Sequence, residues 1–246
     1  MAQPVHFKAL VTKVERHSPD VATYLLECAG RRPRFKPGQF VHLALDEYDP
    51  SSHWPDSRVF SIASGCACPN LLRLTISRQG KYTSRVLDEV REGRVLSLKG
   101  PYGEFVVRPR DAGERIVLVA GGTGITPFCA FMEDAAAAAL GVANPVHLYY
   151  GARSPDLLIY RELAEECARK LPGFRVTYYL EEGDGPPDAR RGRIDIAQVA
   201  ADQRASGVGS CAYYLSGPKV MITAFSRRLT QELGASPGQV LVDAWD

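Results

Sequence analysis

The sequence predicts two units in tandem, an antiparallel β barrel or sandwich and then a doubly wound α/β domain with a parallel sheet. Three observations predict it. Before residue 108 the chain is a series of short runs with period-two apolar alternation, separated by Gly and Pro turns. After residue 114 strand-like runs alternate with stretches of helical period. Between the two textures lies "RPRDAGE", residues 108–114.

In the first half the runs are "VHFKALVTKVE", "VATYLLEC", "QFVHLALDE", "SRVFSIAS", "LLRLTISR" and "VLSLKG". Alternation turns one face of each inward. One short helix, "TSRVLDEV", interrupts them. The second half reads strand "RIVLVA", helix "PFCAFMEDAAAAAL", strand "PVHLYYG", helix "DLLIYRELAEECARKL", strand "RVTYYL", helix "DIAQVAADQ", strand "CAYYLSG", helix "PKVMITAFSRRLTQEL" and strand "QVLVDAW". Strands followed by helices make βαβ units, which place helices on both faces of a parallel sheet.

Composition bounds the function. The chain has 246 residues, 45% apolar and 24% charged, with a formal net charge of +2. That balance gives no global pull toward nucleic acid or an anionic membrane. The N-terminus "MAQPVHFKAL" has no basic segment followed by an apolar core, and no apolar run approaches a membrane span, so a soluble cytoplasmic protein is expected. The six cysteines, at 28, 66, 68, 129, 167 and 211, form no C-x-x-C pair, which predicts free thiols and no metal site. Five histidines, at 6, 17, 42, 53 and 147, are scattered, and neither G-x-S-x-G nor H-E-x-x-H is present, which argues against a hydrolase.

The informative stretch is "AGGTGITPF", Ala120 to Phe128, at the junction of a buried strand and a helix. A glycine-rich turn there bares backbone N–H groups at a helix N-terminus and predicts a phosphate cradle. Pro127 stands where the Rossmann fingerprint needs its last glycine, and no Lys-Ser/Thr follows to make a P-loop. Pro127 suits a first helical turn, where its missing N–H costs nothing. In the first half "RVFSIAS" sets an arginine, an aromatic and a hydroxyl at positions 58, 60 and 61. Such a set can pair a pyrophosphate, stack on a flat ring and hydrogen-bond a ring nitrogen.

The order R-x-F-S, "GKYTS", "GPYGEF", "GGTGITP", "YYGARS" and "YLSGPKVM" resembles the ferredoxin–NADP reductase family of flavoproteins over almost the whole chain. The resemblance implies an antiparallel FAD-binding β-barrel over residues 1–110, then an NAD(P)-binding α/β domain with a doubly wound parallel sheet over residues 111–246. On the flavin side it implies Arg58 on the pyrophosphate, Phe60 against the isoalloxazine and Ser61 near N5. It further places Val59, then Thr75, Ile76 and Ser77, and the second phosphate turn Gly80, Tyr82, Thr83 and Ser84. For the nicotinamide nucleotide it implies Gly121, Gly122, Thr123, Gly124, Thr126 and Pro127 at the pyrophosphate, Arg153 near the adenosine ribose, and Ser216, Gly217 and Pro218 beside the nicotinamide. The ending "VDAWD" resembles the family's acid-x-aromatic terminus, with Asp243 and Trp245, and Ser61, Ser216 and Trp245 are the residues expected at the reacting rings.

Two departures stand out. Phe60 replaces a frequent Tyr whose hydroxyl reaches the ribityl chain, and Ser216 replaces a frequent Cys. The resemblance implies hydride transfer from NADH or NADPH to FAD, with no side-chain general base, and then electron delivery to a separate acceptor. Where family members that use NADPH often place Ser and Arg, this chain has Leu180 and Glu181, followed by Glu182, which favours NADH. Arg153, Arg190, Arg191 and Arg193 argue the other way. The acceptor is expected to be an acidic ferredoxin-like protein, an oxygenase component or a small molecule, steered by the cations of "RRPRFK", residues 31–36, and the protein is expected to be a monomer. Two other readings are a reductase of free flavin and a non-catalytic electron-transfer or regulatory subunit.

Overall fold

A computed structural model of the chain describes residues 3–30, 33–65, 69–108, 110–111, 113–137, 144–207 and 209–243. The first half of the sequence builds β1 (Val5–Ser18), β2 (Val21–Cys28), β3 (Phe40–Ala44), β4 (Ser57–Ser61), β5 (Leu71–Ser77), α1 (Lys81–Glu89) and β6 (Val95–Tyr102). Its strands form one antiparallel six-stranded sheet in the order β4-β3-β6-β1-β2-β5. Alternation decides the inner face: Ala9 and Val11, Tyr24 and Leu26, Val41 and Leu43, Leu72 and Leu74, and Leu96 and Leu98 are all buried in one core. The two edge strands meet where they run out, through Ala63 N to Arg73 O at 2.8 Å, which curls the sheet toward a barrel. Helix α1 adds Val86 and Leu87 to that core.

The second half builds β7 (Glu114–Gly121), α2 (Thr126–Ala136), β8 (Val146–Ala152), α3 (Arg161–Lys170), β9 (Phe174–Leu180), β10 (Arg190–Arg191), α4 (Ile196–Ala205), β11 (Ser210–Ser216), α5 (Lys219–Gln231) and β12 (Val240–Val242). All strand pairs of its sheet are parallel, in the order β10-β9-β8-β7-β11-β12. Seven of the eight residues of β7 are buried, as a central strand covered on both faces must be. On one face Val117, Val119 and Leu215 pack with Ile196 and Val199 of α4 and Ile222 and Leu229 of α5. On the helices α2 and α3, the Cys167 thiol donates to Met132 O at 3.3 Å.

The chain packs as two compact units, Met1–Val106 with Thr126–Phe131, and Val107–Ile125 with Met132–Asp246. Two elements differ from their sequence reading. Helix α3 begins at Arg161 rather than at Asp156, because Pro155–Leu157 forms a 3-10 turn tied by the Tyr150 hydroxyl to Leu157 O at 3.3 Å. The short strand β10 escaped the sequence, since two adjacent arginines carry no alternation.

Candidate functional site

In the first unit "RVFS" runs along the edge strand β4. Its register against β3 pairs Arg58 with Leu43 and Phe60 with Val41, so Arg58 and Phe60 share a face, as strand alternation requires. Phe60 is half-buried and packs on the barrel core, while Arg58 is exposed. Val59 and Ser61 lie on the opposite face, with Ser61 the last strand residue, opposite Phe40.

Arg58 brings the two motifs of this half together. Its guanidinium stands 5.2 Å over the ring of Tyr82, from "GKYTS". Tyr82 is itself buried and donates its hydroxyl to Leu43 O, a site that pushes its pKa well up through desolvation. The arginine therefore rests on a fixed platform at the first turn of α1.

That helix has no side-chain cap. Thr83 Oγ1 instead accepts from Gln79 N at 2.8 Å and Gly80 N at 3.1 Å, and Ser84 N bonds Gly80 O at 2.9 Å. The N–H groups of Lys81, Tyr82 and Thr83 have no partner within the helix, as at any helix start. Gly80 has extended backbone that any residue adopts, and a Cβ there would meet nothing within 4 Å. Neither backbone nor protein packing demands glycine at 80, so the space it leaves in front of the first turn fits an anion's approach. The residues thus fit a flavin dinucleotide's pyrophosphate. Thr75 and Ile76 are buried, with Thr75 Oγ1 2.7 Å from Thr23 Oγ1, so their side chains serve the barrel and leave only backbone to a ligand. Ser77 is half-buried at the end of β5 and accepts from Gln79 Nε2 at 3.3 Å.

In the second unit the glycine turn leaves the carboxyl end of β7. The sheet order reverses between β7 and β11, which pair Ala120 with Ser216, so "GGTG" and "SGP" leave adjacent strands at the switch point where doubly wound folds bind ligands. The two turns interlock. A Cβ on Gly124 would overlap the Ser216 carbonyl and Gly217 N, and one on Gly121 would lie 2.9 Å from Met221 Sδ. Gly122, at φ +56°, takes the left-handed conformation, with nothing within 4 Å of its missing side chain. Thr123 is half-buried beside it in the 3-10 turn Gly122–Ile125. Thr126 and Pro127 open α2 and are buried. An open left-handed glycine before a helix start fits a nucleotide's pyrophosphate.

Ser216 and Asp243 meet at the same end of the sheet, the serine hydroxyl donating to the carboxylate at 2.9 Å. Asp243 N also bonds Leu215 O at 2.9 Å. Trp245 lies outside the described residues, as do Arg31 and Arg32 of the basic loop and Cys66 and Cys68. Cys28, Cys129, Cys167 and Cys211 are buried and in no disulfide.

At the carboxyl ends of β8 and β9 each arginine considered for a ribose phosphate has an acidic partner. Arg153 pairs with Glu182 at 3.1 Å, Arg193 with Glu181 at 2.9 Å, Arg191 with Asp184 at 2.7 Å and Arg190 with Asp202 at 2.7 Å. The last joins a partly buried network around His147 that the scattered histidines of the sequence do not reveal. Gln203 Nε2 lies 3.0 Å from His147 Nδ1 and 2.8 Å from the Tyr149 hydroxyl, which donates to Asp202 at 3.0 Å. Arg115 reaches Gln203 Oε1 at 2.9 Å. Asp56 was also missed: its carboxylate is 2.6 Å from Arg58 Nη1.

Sheet topology, the two glycine turns and the exposed arginine of β4 together define a ferredoxin–NADP reductase-like two-domain fold. The family model of the oxidoreductase NAD-binding domain matches residues 118–227. The reductase component of propane 2-monooxygenase from Rhodococcus jostii is 28% identical over 95% of this chain and 62% of its own length. The cytochrome P450 reductase GcoB of Amycolatopsis superposes with a TM-score of 0.81 and 27% identity, over 99% of this chain and 70% of that one. A ferredoxin NADP+ reductase from Neisseria gonorrhoeae, solved with FAD and NADP, matches in fold with a TM-score of 0.73 and 20% identity, over 99% of both chains. In fold and in its nucleotide-binding half the chain is similar to the ferredoxin–NADP reductase-like oxidoreductases. It spans between half and two thirds of the length of the curated relatives it matches. Among the described residues no helix is long and apolar enough to cross a membrane.

Proposed function

We propose that this chain is an NAD(P)H-dependent flavoprotein reductase, with residues 1–110 binding FAD and residues 111–246 binding the nicotinamide nucleotide. The observation that carries the reading is Arg58 held over Tyr82 at the uncapped start of α1, which makes one anion site out of two motifs. FAD, when bound, supplies a ring that accepts a hydride and can pass its electrons on singly.

The protein's part is binding, orientation and exclusion of water. Arg58 and the N–H groups of Lys81 to Thr83 hold the pyrophosphate, and Phe60 offers its ring to the flavin. Ser61 supplies a hydrogen bond near the reacting edge. Gly122 to Gly124 hold the nucleotide's pyrophosphate, while Ser216, oriented by Asp243, lines the nicotinamide position. Glu181 and Glu182 face the adenosine ribose and favour NADH. In the bound complex the 2′-phosphate of NADPH would have to displace them from Arg193 and Arg153.

Electrons then pass to a separate acceptor, an acidic ferredoxin-like protein, an oxygenase component or a small molecule, in a monomeric cytoplasmic protein. A second reading, reduction of free flavin, is favoured by Phe60, which lacks the hydroxyl that would hold a ribityl chain. Flavin content after gel filtration, combined with dye reduction driven by each nucleotide, tests both. A yellow protein that reduces dye fastest with NADH supports the reductase. A colourless protein that consumes added FAD as substrate supports the second reading, and no nucleotide-driven reduction at all removes both.

A further inference from the structure

Arg58, the cation assigned above to the flavin's pyrophosphate, already holds an anion of the protein's own. Its Nη1 donates to Asp56 Oδ1 at 2.6 Å and to the Ser57 carbonyl at 2.7 Å. Asp56 is two residues upstream on the segment that leads into β4, so it is always presented to Arg58 at high effective concentration. The Tyr82 ring also lies against the guanidinium, 5.2 Å from it.

Resting on the FAD reading, we propose that Asp56 is a built-in competitor for the flavin's phosphate groups, occupying Arg58 in the flavin-free protein and yielding it when a phosphate arrives. Three features carry this. The carboxylate takes up one of the guanidinium donors that phosphate oxygens would otherwise have. Its charge repels a pyrophosphate brought to the same helix start. The pair is about half exposed, with side-chain accessibilities of 54% for Arg58 and 63% for Asp56, so water screens it and a ligand can break it. Asp56 therefore tunes phosphate affinity without blocking the site. The consequence is a flavin that exchanges, and the exchange depends on its phosphates rather than on its ring.

The test is equilibrium binding of FAD and of riboflavin, followed by flavin fluorescence, to flavin-free wild type, Asp56→Asn and Asp56→Glu. Asp56→Asn should tighten FAD about fivefold and leave riboflavin unchanged, since riboflavin has no phosphate to compete. Asp56→Glu, which keeps the charge, should stay close to wild type. The gain in Asp56→Asn should shrink as salt is raised. Equal FAD affinity in wild type and Asp56→Asn overturns the competitor while leaving the FAD reading intact, and so does equal tightening of FAD and riboflavin. Failure of wild type to bind any flavin overturns the FAD reading and the competitor with it.

Discussion

The hydroxyl of Ser216 donates to the carboxylate of Asp243 across 2.9 Å, and both side chains are buried. Residues 27 positions apart are thereby locked at the ends of β11 and β12, next to the turn Gly217–Pro218. Replacing Ser216 by Ala removes a donor from a buried carboxylate, which costs about 1–3 kcal/mol. Urea unfolding should show that loss in the midpoint, with a smaller loss for Ser216→Cys. An Ala variant as stable as wild type would show that the bond contributes nothing.

On the proposed function, selectivity between the nucleotides rests on Glu181, whose carboxylate is turned to Arg193. Glu181→Arg removes one negative charge, adds one positive and frees Arg193, all beside the place expected for the ribose. The ratio of kcat/KM for NADH to that for NADPH should fall at least about tenfold, the effect of roughly 1.4 kcal/mol. A wild type that prefers NADPH, or a variant whose ratio stays put, would remove Glu181 from the selector.

His147 sets a dependence on acid. Burial, with Arg115 nearby, holds its imidazole down to about 4 against an ordinary 6.5. The geometry agrees: Gln203 Nε2, itself a donor, faces Nδ1 at 3.0 Å, so a proton on Nδ1 would meet another donor. Between these two pKa values the unfolded chain binds a proton that the folded chain refuses. Stability should therefore fall as pH drops from about 6.5 to about 4, by about 2–3 kcal/mol from this group, and be unaffected by it outside that window. Unfolding free energy measured across that range should be flatter in His147→Asn. Parallel curves for the two proteins would assign the acid sensitivity elsewhere.

Loss of Arg58 should act on binding alone. Arg58→Ala should raise the dissociation constant of FAD about 10- to 100-fold, the range expected when hydrogen bonds to a charged group are lost, and leave the melting temperature near that of wild type, because the side chain is exposed. Unchanged FAD occupancy would take Arg58 out of the site.

Much of this was legible in the sequence where one short stretch carries the chemistry. The two sheets followed from alternation and βαβ spacing, and the turns before α1 and α2 from "GKYTS" and "GGTG". What stayed hidden was the choice of partner. Nothing in a linear chain shows that Arg153 meets Glu182 rather than a phosphate, because that depends on the path of the loop after β9. Ser216 was expected beside the nicotinamide and Asp243 in the acid-x-aromatic ending, yet their bond exists only because β11 and β12 are neighbours in the sheet. The network of His147 stayed hidden because it joins β8, β9 and α4, three elements whose adjacency is tertiary.

On the proposed function the protein holds a flavin that reduced nicotinamide nucleotide reduces without an intermediary. Anaerobic addition of NADH to the FAD-loaded protein, read by flavin absorbance, checks this. Bleaching should be complete at one equivalent of NADH per bound FAD, with Arg58→Ala bleaching only in proportion to the FAD it retains. A flavin that binds and stays oxidised with excess NADH and with excess NADPH would contradict it.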